Sequence, residues 1–246
     1  MTDRHISDED GNWSVAVVIP AKNEESTIQA CITSILAAAM LIPAPVWIVV
    51  VADSCTDKTV ELAQAAVEGI GEVITCNSSS PGTARRLGVA VALAHFRAVR
   101  LSQVWIANTD ADSSVPIDWL TLQLQYANEG AAAVAGVIKV TEVPGQTAEV
   151  MSLLMGDYSV NPDGTHNHVH GANFGVRADA YVDAGGWKDI ALAEDHCLWN
   201  RLRSQGWSIV SSIVSEVMTS GRLEGRAQGG FADLLKLKLA QFDANA

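Results

Sequence analysis

Two acidic pairs carry the most pointed chemistry in this sequence. Asp110-Ala111-Asp112 follows directly on the apolar run QVWIANT, and Glu194-Asp195 opens the segment EDHCLWNRLRSQG. Carboxylates at i and i+2 on the end of a buried strand can hold a hard divalent cation and present it to a diphosphate. Paired acids can also supply a general base that takes the proton of a hydroxyl nucleophile. Both pairs have an ordinary structural use as well, because Asp and Glu stabilise the first turn of a helix as caps and dipole partners.

Five other groups are candidates. In DSCTD, Asp53 stands ahead of the helix-capping positions Thr56 and Asp57, so its carboxylate can accept an N–H from a nucleobase, with Ser54 beside it. PAKNEES places Pro20, Ala21, Asn23 and Glu24 at the first such junction, where Glu25 is an ordinary dipole partner. SSSPGTARRLG brings Arg85 and Arg86 to a helix start, where cations oppose the dipole; an anionic ligand or a solvated surface pair would account for them. His166, His168 and His170 alternate, which on an extended backbone puts three imidazoles on one face, either as metal ligands or as a polar loop. Arg222 and Arg226 stand in the glycine-rich SGRLEGRAQGG, placed to close over phosphates or to face solvent.

The elements that position these groups follow from the hydrophobic pattern. SVAVVIP (14–20), VWIVVVA (46–52), EVITC (72–76) and QVWIANT (103–109) are short, β-branched and apolar on both faces, and each leads into a segment with helical spacing. Four such units in succession predict a parallel sheet with helices on both faces, whose ligands bind beyond the carboxyl ends of the strands. The loops at 20–25, 52–57, 77–86 and 108–114 should therefore line one edge together. Beyond 130 the rhythm loosens into a strand (131–143), a helix to about 158, the turn-rich SVNPDGTHNHVH, then strand, helix, a second helix ending at Gly206 and one or two strands from 207. The predicted organisation is an acidic tail (1–13) and one domain (14–246). Its parts are a regularly alternating half (14–130), a less patterned half (131–229) and a C-terminal amphipathic helix (230–243); the resemblance described below implies that the first binds a nucleotide and the second an acceptor.

Composition narrows the functional classes. The 246 residues include 16 Lys and Arg against 28 Asp and Glu, for a net charge of -12, which excludes the basic footprint of a general nucleic-acid binder. An anionic ligand must be met locally, by a few guanidinium groups, backbone N–H donors or a metal. The four cysteines lack C-x-x-C spacing, so free thiols in a reducing compartment are expected. The first residues contain no apolar leader core, and no apolar run approaches the ~20 residues of a membrane-crossing helix. A cytoplasmic protein is expected. Its C-terminal helix, with Phe231, Leu234, Leu235, Leu239 and Phe242, is suited to packing on the domain, to pairing two subunits as a homodimer, or to resting on a membrane surface.

Taken in order, VVIPAKNEES, VVVADSCTDKT, the Arg85 loop, the D-A-D after the fourth strand, GANFGVR and AEDHCLW resemble glycosyltransferase family 2, the nucleotide-sugar transferases of GT-A fold. The resemblance covers about residues 14–212 and is nearest the bacterial branch that includes glucosyl- and mannosyl-phosphoglycerate synthases. It implies a Rossmann-like α/β fold with a mostly parallel central sheet and an acceptor-side C-terminal half. It further implies that Pro20, Ala21, Glu24 and Asp53 contact the nucleoside, that Arg85 faces base or diphosphate, and that Asp110 touches ribose or metal. Asp112 would ligate Mn²⁺ or Mg²⁺ bridging the diphosphate, with Asp110 as the accompanying ligand and His170 as a candidate third. Asp195, with Glu194 beside it, would be the general base of an inverting transfer. His170, Gly171, Ala172 and Asn173 would line the acceptor.

The implied donor is a UDP- or GDP-sugar and the acceptor a hydroxyl on a small molecule, a glycan or a lipid-linked group. The Q-x-x-R-W signature of processive polysaccharide synthases is absent, so one sugar is transferred per encounter. Two other functions use a related scaffold. A sugar nucleotidylyltransferase would carry a glycine-rich basic loop after the first strand, where PAKNEES has one lysine and two glutamates. A non-catalytic sugar-nucleotide module would have lost the D-x-D or the Glu-Asp pair, and both are present. A dinucleotide-binding dehydrogenase is excluded by the absence of G-x-G-x-x-G after the first strand.

Overall fold

The computed structural model describes residues 12–78, 80–140, 163–190 and 192–223, with positions 143, 150, 161, 232, 233, 236, 237 and 239. Most of the expected acidic tail, the helix to about 158 apart from Val150, Arg226 and most of the C-terminal helix lie outside the described residues.

Four β-branched runs form the strands β1 (Ser14–Ala21), β2 (Val46–Asp53), β3 (Gly71–Cys76) and β4 (Val104–Asn108). They pair in parallel in the order β3-β2-β1-β4, with Val17 opposite Ile48 and Ala107. Parallel pairing brings all four carboxyl ends to one edge. The residues of β1 alternate between the two cores: Val15, Val17 and Ile19 pack under α1 (Ile28–Ala39), while Ala16 and Val18 face α3 (Pro81–His95) on the other side. Both faces are covered, which is why these strands read as continuous apolar runs. Trp13, expected at the end of the tail, is part of this core. It is 8% exposed, meets Trp105 edge to face at 6.1 Å and donates to Asn128 Oδ1 at 2.7 Å.

Helix α3 lies against the sheet more closely than an ordinary helix can. A Cβ at Gly88 would run into Val18 and Val51, so the small residue lets the helix backbone approach β1 and β2. Ser80 caps the helix by accepting from the Thr83 N–H at 3.3 Å, with Pro81 in the first turn. The helix α2 (Thr59–Ala66) crosses between β2 and β3, and α4 (Trp119–Asn128) packs with α1 on the opposite face from α3.

The second half extends the sheet with mixed pairing. The two-residue β5 (Ser113–Ser114), β6 (Ala133–Val140), β7 (Phe174–Arg177) and β8 (Ile209–Thr219) complete an eight-stranded sheet ordered β3-β2-β1-β4-β7-β6-β8-β5. β7 runs antiparallel to both β4 and β6, and β6 is parallel to β8. The register of that last pair slips between Gly136 and Val137, so that Ile213, Val214 and Ser215 bulge out of β8. Two helices, α5 (Ala178–Asp183) and α6 (Glu194–Ser204), follow β7. All four cysteines are free thiols. Of the expected C-terminal helix, Ala232 and Leu239 are buried, Leu239 against Val140 and Val143, which favours packing for that part of the chain. No helix among the described residues is long and apolar enough to cross a membrane.

Candidate active site

The four loops at the carboxyl ends of β1 to β4 are sewn to one another. Asn23 Oδ1 accepts from the Thr56 N–H at 2.7 Å, the Glu25 and Lys58 N–H groups bond to Asp57 and Glu25 across the first two loops, and Glu24 N–H donates to the buried Thr59 hydroxyl at 2.6 Å. The Cys31 thiol, on α1, donates to the Asp110 carbonyl, and the Cys55 thiol donates to the Ala21 carbonyl. Three non-glycine residues adopt positive φ here: Asn23 (54°), Ser54 (56°) and Ala193 (58°), the last immediately before α6. Each costs about 1–3 kcal/mol, and such strain concentrates at functional sites. No sequence pattern announced these three positions together.

Asp53 is 5% exposed and its carboxylate is engaged locally. It accepts from the Ser78 N–H (2.8 Å), the Ser78 hydroxyl (2.7 Å), the Ser80 N–H (3.3 Å) and the Ser54 hydroxyl (3.0 Å). In this state it orders the loop from β3 to α3. Ala21 is buried beside it and Pro20 half-buried at the end of β1.

Arg85 is not half of a solvated surface pair. It sits in the second turn of α3, 3% exposed, while Arg86 is solvent-exposed. Its guanidinium bridges Asp110 Oδ1 (2.6 Å) and Glu194 Oε1, and lies over the Trp187 ring at 5.4 Å. The reason is the close approach of α3: the Ala84 to Gly88 face turns inward, and only paired carboxylates make a buried guanidinium tolerable. Gly171 completes the enclosure, since a Cβ there would collide with the guanidinium.

Asp112 lies on the other side of Asp110, its side chain 12% exposed. Burial, and then the Asp110 charge, push its carboxyl up to about 7, against the opposing pull of Arg222. Arg222 reaches this place because β8 ends by pairing antiparallel with β5: Thr219 is opposite Ser113, and Ser220 N–H donates to the Asp112 carbonyl at 3.2 Å. The guanidinium then grips Glu24 with two hydrogen bonds (2.7 and 2.9 Å) and Asp112 Oδ2 at 3.0 Å. Glu24, with its side chain 5% exposed, also accepts from Thr27 Oγ1 at 2.9 Å.

The donor set fits a hard divalent cation held in an open site. Asp110, Asp112 and the nearby Glu24 offer only oxygen, and the buried Asp112 carboxylate gains from any cation beside it. Among the described residues no group of three or more His, Cys, Asp or Glu side chains is placed to hold a metal ion. A metal here would complete its shell with diphosphate oxygens and water, as Mg²⁺ in phosphate sites does.

On the facing side, α6 carries Glu194 and Asp195 in its first turn, where the dipole favours anions. Glu194 is tied to Arg85. Asp195 accepts from the Gly171 N–H (3.1 Å) and the His196 N–H (2.7 Å). Gly171, Ala172 and Asn173 form a buried 3₁₀ turn. Asn173 is spent inside the protein: its amide donates to the Val137 (2.9 Å) and Ser215 (3.0 Å) carbonyls across the β8 bulge, and it accepts from Trp119 Nε1 at 3.0 Å.

The three alternate histidines do share a face, with ring centroids 6.1 Å apart for His166 and His168 and 6.2 Å for His168 and His170. Burial, followed by the neighbouring His168, His196 and His166, drives His170 down to about 3, so it is neutral. His166 is 4% exposed and neither ring nitrogen has a hydrogen-bond partner among the described residues.

These features define a GT-A architecture, and comparison with known proteins agrees. Residues 16–183 match the family model described as glycosyl transferase family 2. The chain belongs to that family. A search of curated proteins finds no match. Among solved structures, residues 1–349 of Staphylococcus aureus TarS in complex with UDP-GlcNAc align over 93% of this chain and 66% of that one, with 16% identity and a TM-score of 0.63. A mannosyltransferase from Pyrobaculum calidifontis in complex with GDP-Man and Mn²⁺ aligns over 94% of this chain and 61% of its own, with 17% identity and a TM-score of 0.63. The chain thus spans about two thirds or less of these structures, and at such identities the likeness is one of fold.

Proposed function

We propose that this chain transfers a single sugar from a UDP- or GDP-sugar to a hydroxyl acceptor, with inversion and with Mn²⁺ or Mg²⁺ bound at Asp112 and Asp110. The observation that carries the reading is the convergence of two acid sets on one sheet edge. Asp110 and Asp112 come from the end of β4, and Asp195 comes from the first turn of α6, with Arg85 joining the two sides. Family membership and the nucleotide-sugar ligands of the two similar structures support the donor class.

The metal, when bound, neutralises the charge that develops on the leaving diphosphate. Arg222 and Glu24 border the same position, Pro20, Ala21, Asn23 and the loop ordered by Asp53 and Ser54 provide the nucleoside side, and Ala111 gives the turn between the two acids a small side chain. Asp195, oriented by the Gly171 N–H, draws the proton from the acceptor hydroxyl as that oxygen attacks the anomeric carbon opposite the leaving group. Glu194 holds Arg85 and so fixes the first turn of α6. His170 and the backbone of Gly171 and Ala172 border the acceptor, while Asn173 acts at one remove by clamping β6 to β8.

Thermal unfolding with UDP, GDP and their sugar conjugates, with and without Mn²⁺, tests the reading. Saturation at about 100 Kd should stabilise the protein by about 2.7 kcal/mol. The gain should require Mn²⁺ for one base and vanish in Asp112→Ala. No shift with any nucleotide in folded protein would sink the donor site and leave a non-catalytic module of the same fold.

A further inference from the structure

Two nearly buried carboxylates, Glu24 and Asp112, share one cation, the Arg222 guanidinium. The grip is unequal. Both ends of the fork hold Glu24, whereas Asp112 Oδ2 receives only one nitrogen, at 3.0 Å, and that nitrogen is also bonded to Glu24. The guanidinium can therefore release Asp112 by pivoting on Glu24 without leaving that acid bare. Its side chain is 29% exposed, so the pivot has somewhere to go.

A divalent cation on Asp112 would share that carboxylate with Arg222, which holds Oδ2, and would set two units of positive charge against a third. Free metal must thus work against Arg222. A diphosphate changes the balance, because it offers the displaced guanidinium oxygens that suit its planar fork. We propose that Arg222 is an internal counter-cation that makes metal binding at Asp112 conditional on the donor diphosphate, passing from Asp112 to the diphosphate as the metal arrives. The proposal rests on the donor-site reading above. It goes beyond assigning Arg222 to phosphate binding, since it requires the metal and the nucleotide to promote each other's binding by equal factors.

The test is calorimetric titration of the full chain with MnCl₂, alone and with saturating UDP or GDP, whichever stabilises the wild type. Wild-type protein should bind Mn²⁺ alone at least about tenfold more weakly than with the nucleotide, the ratio one charge-assisted hydrogen bond can supply. In Arg222→Gln, Mn²⁺ alone should bind about tenfold more tightly than to wild type, and the benefit of nucleotide should shrink. Arg222→Lys, which keeps the charge and loses the fork, should fall between. The double variant Glu24→Gln with Arg222→Gln leaves Asp112 as the one acid of the pair without its cation, so it reports the same gain even where the single variant, with two such acids, is poorly folded. Unchanged affinity for Mn²⁺ alone in both variants, with nucleotide and Mn²⁺ still binding together, overturns the exchange but not the donor site. A wild type that binds neither UDP nor GDP under any condition overturns the donor-site reading and the exchange with it.

Discussion

Arg85 and Arg222 each bridge two carboxylates at the same edge of the sheet, yet they are built for different work. Arg85 is sealed: it comes from the second turn of a helix packed on the sheet, is 3% exposed, lies over Trp187 and is walled by Gly171. Arg222 arrives from the end of β8, on an irregular stretch beyond the last strand pair, with its side chain 29% exposed. The first guanidinium has no second place to go, and the second has one. The difference teaches that an ion pair's role is read from the freedom of its cation, not from its distances, which are similar in the two clusters.

The largest expected effect follows from removing the sealed cation. Arg85→Ala leaves Asp110 and Glu194 facing one another around an empty buried space, and breaking a buried pair in this way costs about 3–5 kcal/mol. Urea denaturation should show a loss of that size, with a smaller loss in Arg222→Gln, whose guanidinium is already 29% exposed against 4% for the Arg85 side chain. Equal losses in the two variants would end the distinction between a fixed and an exchangeable guanidinium.

The adjacent acids of α6 sharpen the same contrast. Glu194 belongs to the sealed cluster, while Asp195 is held by two backbone N–H groups and is the base of the proposed transfer. Asp195→Asn should lower sugar transfer about a hundred- to ten-thousandfold at nearly unchanged stability and nucleotide binding. Glu194→Gln should do the reverse in kind, lowering the unfolding free energy first. Single-turnover transfer and thermal unfolding, measured on both variants, separate the two. A fully active Asp195→Asn enzyme would remove the base from the scheme and with it the argument for inversion.

Much of this arrangement was legible in the sequence because it depends on local pattern. Continuous β-branched runs gave away a two-sided sheet, and the strand ends then put Asp53, Asp110 and Asp112 along one edge. The burial of Arg85 was not legible. An arginine beside another at a helix start reads as surface or ligand chemistry, and only the depth of α3 against Val18 and Val51, a tertiary fact, turns it inward. Asn173 was hidden for the same reason. Its task depends on a slip of register between β6 and β8, strands 69 residues apart from Val140 to Ile209, and no local signal marks that slip. The left-handed Ala193 could not be read either, since Gly, Asn or Asp would be the expected residue there.

The histidine row supplies the smallest effect and the sharpest counter-example to the two arginines. Where each guanidinium bridges two carboxylates, His166 is buried with both ring nitrogens unpartnered among the described residues. A buried polar group in that condition costs about 1–3 kcal/mol, which a fold under selection for stability alone would shed. Its neighbours lead ring by ring to His170 and so to Gly171 and Asp195, the acceptor side of the scheme. His166→Leu should therefore raise stability by up to about 1 kcal/mol, the removed penalty less the imperfect fit of the new side chain. The same variant should leave stabilisation by Mn²⁺ and nucleotide unchanged and weaken transfer to the acceptor. Thermal unfolding and transfer assays on one preparation decide it: a destabilised protein means that the imidazole holds the fold together, and a stabilised, fully active one means that the row has no part in acceptor binding.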